Sequence, residues 1–251
     1  MKKILFIMIM AATLVACNNK NSSKAYLDAN GDCIFENSVV AYRINGASNP
    51  VISNGMEAVL KAVIDKKEVV KDRKSAVAAS MNDGGSAILL NDSLIFPQAN
   101  FESFEVVEQT PDYVVFTLTY PAWQVGEDNI SLVRTITLRN RSIYCEVKDV
   151  YKCDEGAKDV TVVAGFAKRN VADSEKGADY LVAWENIGAD EAYGVGIVMP
   201  MSSKFEFDGP ANHAVAIYPT KYGRPVEYAI GSCWSKGELS TFDSWAEKVR
   251  L

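Results

Sequence analysis

The sequence predicts an all-β fold, an antiparallel two-sheet sandwich with two short helices, and three observations carry that expectation. Apolar and polar residues alternate with a period of two along much of the chain, which puts one side of each run against a core. The runs are short and nearly all are separated by turn residues, the pattern of a sandwich. The 251 residues, 48% apolar and 10% aromatic, supply enough core-forming side chains to exclude a chain disordered throughout.

At the amino end, Lys2 and Lys3 precede an apolar run that begins at Ile4, followed by a small-residue stretch that ends in Leu14-Val15-Ala16-Cys17. Residues 1–16 read as an export signal, because the run is shorter than the roughly 20 residues a bilayer span takes and a polar segment follows. Leu14-Val15-Ala16-Cys17 resembles the bacterial lipobox, which implies cleavage before Cys17, acylation of Cys17 and a lipid-anchored place in the cell envelope, at the outer membrane facing the periplasm. Residues 17–25, rich in Asn, Ser and Lys, read as a solvated tether. Residues 26–251 read as a single β-sandwich domain.

Within that domain Val40, Tyr42 and Ile44 lie on one side of a strand and Val39, Ala41 and Arg43 on the other. Met56, Val59, Leu60, Val63 and Ile64 recur at helical spacing, and Asn54 with Glu57 three positions later offers a cap and a return contact, so a helix is expected there. The charged stretch 66–74 reads as its solvated end. Asn82-Asp83-Gly84-Gly85 is a turn leading to a hairpin or a strand. Val114, Phe116, Leu118 and Tyr120 share a face of a strand over 113–120 that Pro121 should end. Further strands are expected over 130–138, 143–151, 160–167, 180–184, 194–199, 213–218 and 226–234. Phe242, Trp245, Ala246 and Val249 repeat a helical spacing, with Ser240 as cap and Asp243 in the first turn, and this helix should seal a sheet edge or end.

Composition and motifs exclude several functions. Loss of residues 1–16 would leave 24 basic against 32 acidic side chains, a net charge of −8, and no basic run with interleaved aromatics follows, so nucleic acid is not an expected partner. A single histidine, His213, removes multi-histidine metal sites, and no Cys-x-x-Cys pair occurs. No metal and no cofactor are expected. Gly194-x-Gly196 lacks the third glycine of a dinucleotide motif. Cys33, Cys145, Cys153 and Cys233 would lie where disulfides persist, but their spacing selects no pairing, and free, partly buried thiols are the simpler expectation.

Candidate site residues are polar groups that interrupt apolar faces, or aromatics near strand ends. Arg134 shares a parity with Ile130, Leu132, Ile136 and Leu138, and Asp149 with Cys145, Val147 and Tyr151. A tight turn at Asn140-Arg141 would set Arg134 opposite Val147 and diagonal to Asp149. Arg134 then either satisfies itself in an internal ion pair or is aimed at a ligand carboxylate. His213 falls in register with Val215 and Ile217, as a core or rim histidine or as an acid–base group. Trp123, Trp184 and Trp234 stand near strand ends, where an indole serves either core packing or stacking on a sugar. Tyr222, Arg224 and Glu227 flank a proline in a loop that could rim a cleft, and Glu185 beside Trp184 could add a carboxylate.

Phe35-Glu36-Asn37-Ser38-Val39-Val40-Ala41-Tyr42-Arg43, the closing Ile230-Gly231-Ser232-Cys233-Trp234 and the terminal segment around Trp245 resemble the domain of unknown function 4861 family, exported proteins of Bacteroidetes. The resemblance implies a galactose-mutarotase-like supersandwich and a setting of polysaccharide degradation. An oligo- or polysaccharide, an acidic one among the options, is then the expected partner, and a protein partner cannot be named. Two functions are expected from different classes. In a lyase, Arg134 or Arg43 would neutralise a uronate carboxylate while Tyr42 or His213 takes the C5 proton. In a noncatalytic binding or assembly module for glycan or protein, Trp184 and Trp234 would stack on the partner.

Overall fold

The computed structural model describes residues 22–73, 75–200, 202 and 204–250. The export signal, Cys17 and most of the tether lie outside these residues. The strands are β1 (Lys24–Leu27), β2 (Cys33–Glu36), β3 (Ala41–Ile44), β4 (Glu57–Ile64), β5 (Lys67–Lys71), β6 (Gly85–Leu90), β7 (Ser93–Ile95), β8 (Ser103–Gln109) and β9 (Tyr113–Val125). They continue with β10 (Asp128–Arg139), β11 (Tyr144–Cys153), β12 (Asp159–Ala167), β13 (Val171–Lys176), β14 (Tyr180–Gly188) and β15 (Glu191–Val198). The last are β16 (Lys204–Gly209), β17 (His213–Lys221) and β18 (Pro225–Trp234), and one helix, α1 (Phe242–Arg250), follows.

The fold is all-β. One layer is an eight-stranded antiparallel sheet in the order β13-β14-β15-β18-β11-β10-β9-β8. The other is made of two five-stranded sheets, β1-β2-β3-β4-β5 and β16-β17-β12-β6-β7, which adjoin where Met56 bridges Asn82 and Gly84. Strands β12 and β17 pack over β14, β15 and β18, while β4 packs over β18 and β1 over β9. Alternation explains the core between the layers: Val114, Phe116, Leu118 and Tyr120 from β9, Ile136 and Leu138 from β10, and Phe35, Leu60, Val162 and Ala216 from the opposite layer are all buried in one cluster.

Four expectations are corrected. Residues 57–64 are the strand β4 and not a helix: Ala58, Leu60 and Ala62 are buried on one side, and this period of two, helped by the strand preference of Val59, Val63 and Ile64, overrides the weaker helical spacing. Asn54 caps no helix but donates from its amide to the Ser86 carbonyl at 2.9 Å. The charged stretch that follows is the edge strand β5, entered by a two-residue turn at Asp65 and Lys66, both at positive φ; Lys74 lies outside the described residues. Pro121 does not end β9, because Pro121 and Ala122 fall in a bulge where the register to β10 shifts between Ile130 and Leu132.

The expected terminal helix forms, with Asp243 in its first turn. Its cap is Thr241 rather than Ser240, since the Ser244 amide donates to Thr241 Oγ1 at 3.3 Å. The helix covers part of the outer face of the large sheet. Trp245 packs over Gly194, where an added Cβ would stand 2.7 Å from the indole, so the paired glycines of β15 are a packing floor. All four cysteines of the described residues are free thiols.

Candidate functional site

The polar residues that interrupt the core do not gather in one hollow. Three separate constellations result, one inside the core and one at each end of the layers.

The first is in the core. Register places Arg134 directly opposite Asp149, because the turn between β10 and β11 is longer than a tight two-residue turn and shifts the pairing. The guanidinium makes a bidentate fork, Nε to Oδ1 and Nη2 to Oδ2, both at 2.8 Å, and both residues are fully buried. Arg134 Nη1 also donates to the Asn54 carbonyl, while the Tyr228 hydroxyl at 2.8 Å and the Ser86 hydroxyl donate to Asp149 Oδ2. Every strong donor of Arg134 thus meets protein, and the internal ion pair is the arrangement found.

Tyr42 is fully buried against Phe35, with ring centroids 5.2 Å apart, and its hydroxyl accepts from Ser232 Oγ at 3.0 Å. Burial pushes its phenol far above the ordinary value, which removes it as a base near neutrality. His213 is buried at the start of β17. Its Nε2 accepts from the Met81 amide at 3.3 Å, so the ring proton sits on Nδ1 and is donated to the Ala211 carbonyl at 2.8 Å. Burial holds the imidazole below its ordinary value, and the neutral ring serves as a pin for the loop before β6.

The second constellation closes one end of the layers. Asp83, fully buried, accepts from the Ala58 amide at 2.8 Å, from Arg73 Nη1 at 3.1 Å, from the Tyr193 hydroxyl at 3.0 Å and from Arg169 Nη1. The guanidinium of Arg73 lies 3.8 Å from the Tyr193 ring centroid. Tyr193 also lies 2.6 Å from Glu185 Oε2, and the Arg169 amide donates to Glu185 Oε1 at 2.9 Å. Burial alone would raise the Asp83 carboxyl, but the Arg169 and Arg73 charges hold it below the ordinary range. Burial raises Glu185, which has no such pair of cations on it. Arg43 stands beside this group and is tied to Glu57 at 3.3 Å and to Asp72. Of the expected site residues, Arg43 and Glu185 are here; Arg73, Asp83, Arg169 and Tyr193 were not legible as a group, since Arg169 and Tyr193 come from segments far along the chain from Arg73 and Asp83.

The tryptophans are packing residues. Trp123 meets Tyr151 edge-on at 6.2 Å, Trp234 belongs to the main core, and Trp184 packs with Trp245 beneath α1.

The third constellation is open. At the end of the layers opposite Asp83, a cleft of about 740 Å³ lies between the β9–β10 turn, the ends of β6 and β17, and the start of β12. It is within the roughly 300–1,000 Å³ of small-molecule sites. The loop expected to rim a cleft lines it through Tyr222 and Arg224, together with Glu127, Asp128, Asp159, Thr161, Thr220 and Lys221. Gly223, at φ 83°, turns the chain from one layer to the other, and its amide donates to the Tyr151 carbonyl at 2.7 Å, which fixes the loop. Tyr222 is buried in the wall, and burial with the nearby Asp128 charge pushes its phenol up to about 12. Lys221 pairs with Asp159 at 2.7 Å and Lys158 with Asp128 at 2.5 Å. Glu127 and Arg224 are exposed, and among the described residues neither holds an ion pair or a side-chain hydrogen bond. Gly126-Glu127-Asp128, a turn signal between two long alternating runs, was the sequence feature that could have found the second lip.

Fold and site together define a β-sandwich protein with a polar cleft at one open end of its layers. The family model for the domain of unknown function DUF4861 matches residues 76–250, and the chain belongs to that family. The closing Ile230–Trp234 motif and Trp245 fall within the match, whereas the motif over 35–43 precedes it. No curated protein matches the chain. Among solved structures the chain is similar to the heparan sulfate lyase HepC from Pedobacter heparinus, with 10% identity and a TM-score of 0.48 over 84% of this chain and 36% of that one. It is also similar to the 4-alpha-glucanotransferase from Thermococcus litoralis, with 8% identity and a TM-score of 0.39 over 85% of this chain and 39% of that one. The chain thus spans little more than a third of the length of either protein.

Proposed function

We propose that this chain is a lipoprotein of the cell envelope, anchored through Cys17 at the outer membrane in a setting of polysaccharide utilisation, and that its sandwich binds an oligo- or polysaccharide without converting it. The open cleft carries this reading. A saccharide needs donors and acceptors that the protein has not already used, and Arg224, Glu127, Thr161 and Thr220 offer them around a space of suitable size. Binding is favoured over turnover by the fate of the candidate acid–base groups. Tyr42, Arg134 and His213 occupy three different places, and each is closed in and engaged by protein neighbours. A lyase needs its base and its carboxylate-neutralising group on the same sugar unit.

The test is calorimetric titration of the chain against a broad glycan panel, with ultraviolet absorbance followed in parallel for unsaturated products. Saturable binding without product is expected, and Arg224→Ala should weaken it by about tenfold, the loss of one exposed charge-assisted contact. Unsaturated product would overturn the noncatalytic reading, and no binding across the panel would remove saccharides altogether.

A further inference from the structure

We propose that the cleft selects an uncharged saccharide and discriminates against uronates; this rests on the saccharide reading of the same site. The inference starts from which charges at the cleft are still available. Its lining holds three carboxylates, Glu127, Asp128 and Asp159, against two cations, Lys221 and Arg224. Lys221 is engaged by Asp159, and Lys158 from just outside the lining engages Asp128. What remains is one free carboxylate, Glu127, and one free guanidinium, Arg224, each at the tip of a different turn bordering the same space.

An ionised carboxylate only accepts hydrogen bonds and a guanidinium only donates them. A sugar hydroxyl does both, so neighbouring hydroxyls of a neutral ring satisfy Glu127 and Arg224 at once. Leu90, Val125 and Pro219 add apolar surface for the C–H side of the ring. A uronate chain presents a negative charge on each unit. Here it would meet one free cation and one free carboxylate, in a protein whose own net charge is −6, and a carboxylate facing Glu127 across the cleft is repelled. The arginines that could have answered further carboxylates are elsewhere: Arg134 is held by Asp149 in the core, and Arg43, Arg73 and Arg169 by acids at the far end.

The experiment titrates the full chain with gluco- and galacto-oligosaccharides and with glucurono- and galacturono-oligosaccharides of the same length, which differ only at C6. The neutral series should bind at least about tenfold more tightly. Glu127→Gln, which keeps an acceptor and removes the charge, should narrow that ratio several-fold by improving uronate binding, and the narrowing should shrink as salt is raised. Both residues are exposed at turn tips, and an unchanged unfolding midpoint shows the variant to be folded. Equal or tighter binding of uronates, or a ratio indifferent to Glu127→Gln, overturns the selectivity while leaving a saccharide-binding protein. Absence of binding in both series overturns the saccharide reading itself and this inference with it.

Discussion

Arg134 and Asp149 are a charged pair with no solvent on either side, and their value lies in mutual satisfaction. Removing one partner leaves the other ionised and dehydrated, so Asp149→Ala should lower unfolding free energy by about 3–5 kcal/mol in urea titrations. Arg134→Lys keeps the charge but loses the fork, and it should also destabilise while leaving glycan titrations unchanged. His213 sets a dependence on pH. Its folded-state value is held below the ordinary 6.5 by burial, so the unfolded chain takes up the proton first as pH falls. Its contribution to stability is complete above the ordinary histidine value and is lost as pH drops through 6.5 toward the folded value. Glu185, raised by burial, contributes with the opposite slope, at the acidic side of this window. The difference in melting temperature between the parent and His213→Gln should therefore shrink from pH 8 to pH 5; a constant difference would show that the buried imidazole is not the titrating group.

Among the elements, β4 and α1 show when pattern decides and when it does not. The run from Met56 to Ile64 is apolar enough to satisfy two periods at once, and only pairing with β3 and β5 selects the strand. No competing period exists around Phe242–Arg250, and the helix forms as its spacing demands. The helix depends on a seat of glycines: Gly194, Gly196 and Gly231 leave room for the Trp245 indole, which is fully buried. Trp245→Ala should cost about 3–5 kcal/mol of unfolding free energy. Gly194→Val should lift the helix without touching the hydrogen bonding of the sheets, and hydrogen exchange should show faster exchange confined to α1 and its seat. Protection unchanged in α1 would place its stability elsewhere.

Across the protein as a whole, the two ends of the layers have opposite character. One is sealed by Asp83, Arg73, Arg169 and Tyr193, which tie three segments of the second layer to the large sheet; the other is left open with Glu127 and Arg224 unengaged. A tethered protein would present one such end to its surroundings. Anchoring is tested with Cys17→Ser in a bacterial host that processes lipoproteins: the parent should fractionate with membranes and the variant should be soluble. Membrane retention of the variant would remove the lipid anchor from the proposed function.

Most strand positions from β9 to β18 could be read along the chain because side-chain direction in a strand repeats every two residues, a strictly local rule; β13 and β16, which bury little of either face, were not legible. Family membership was legible too, in the closing Ile230–Trp234 segment and Trp245. Pairing was not: whether Arg134 faces Val147 or Asp149 depends on a turn of a few residues, and each change of register gives every side chain a new partner. Nor could the sequence tell that Arg43 is engaged by Glu57 and Asp72 and Glu185 by Tyr193 and the Arg169 amide, while Arg224 is engaged by no side chain among the described residues. That depends on which ends of the layers close, and closure is settled by contacts between segments far apart in the chain.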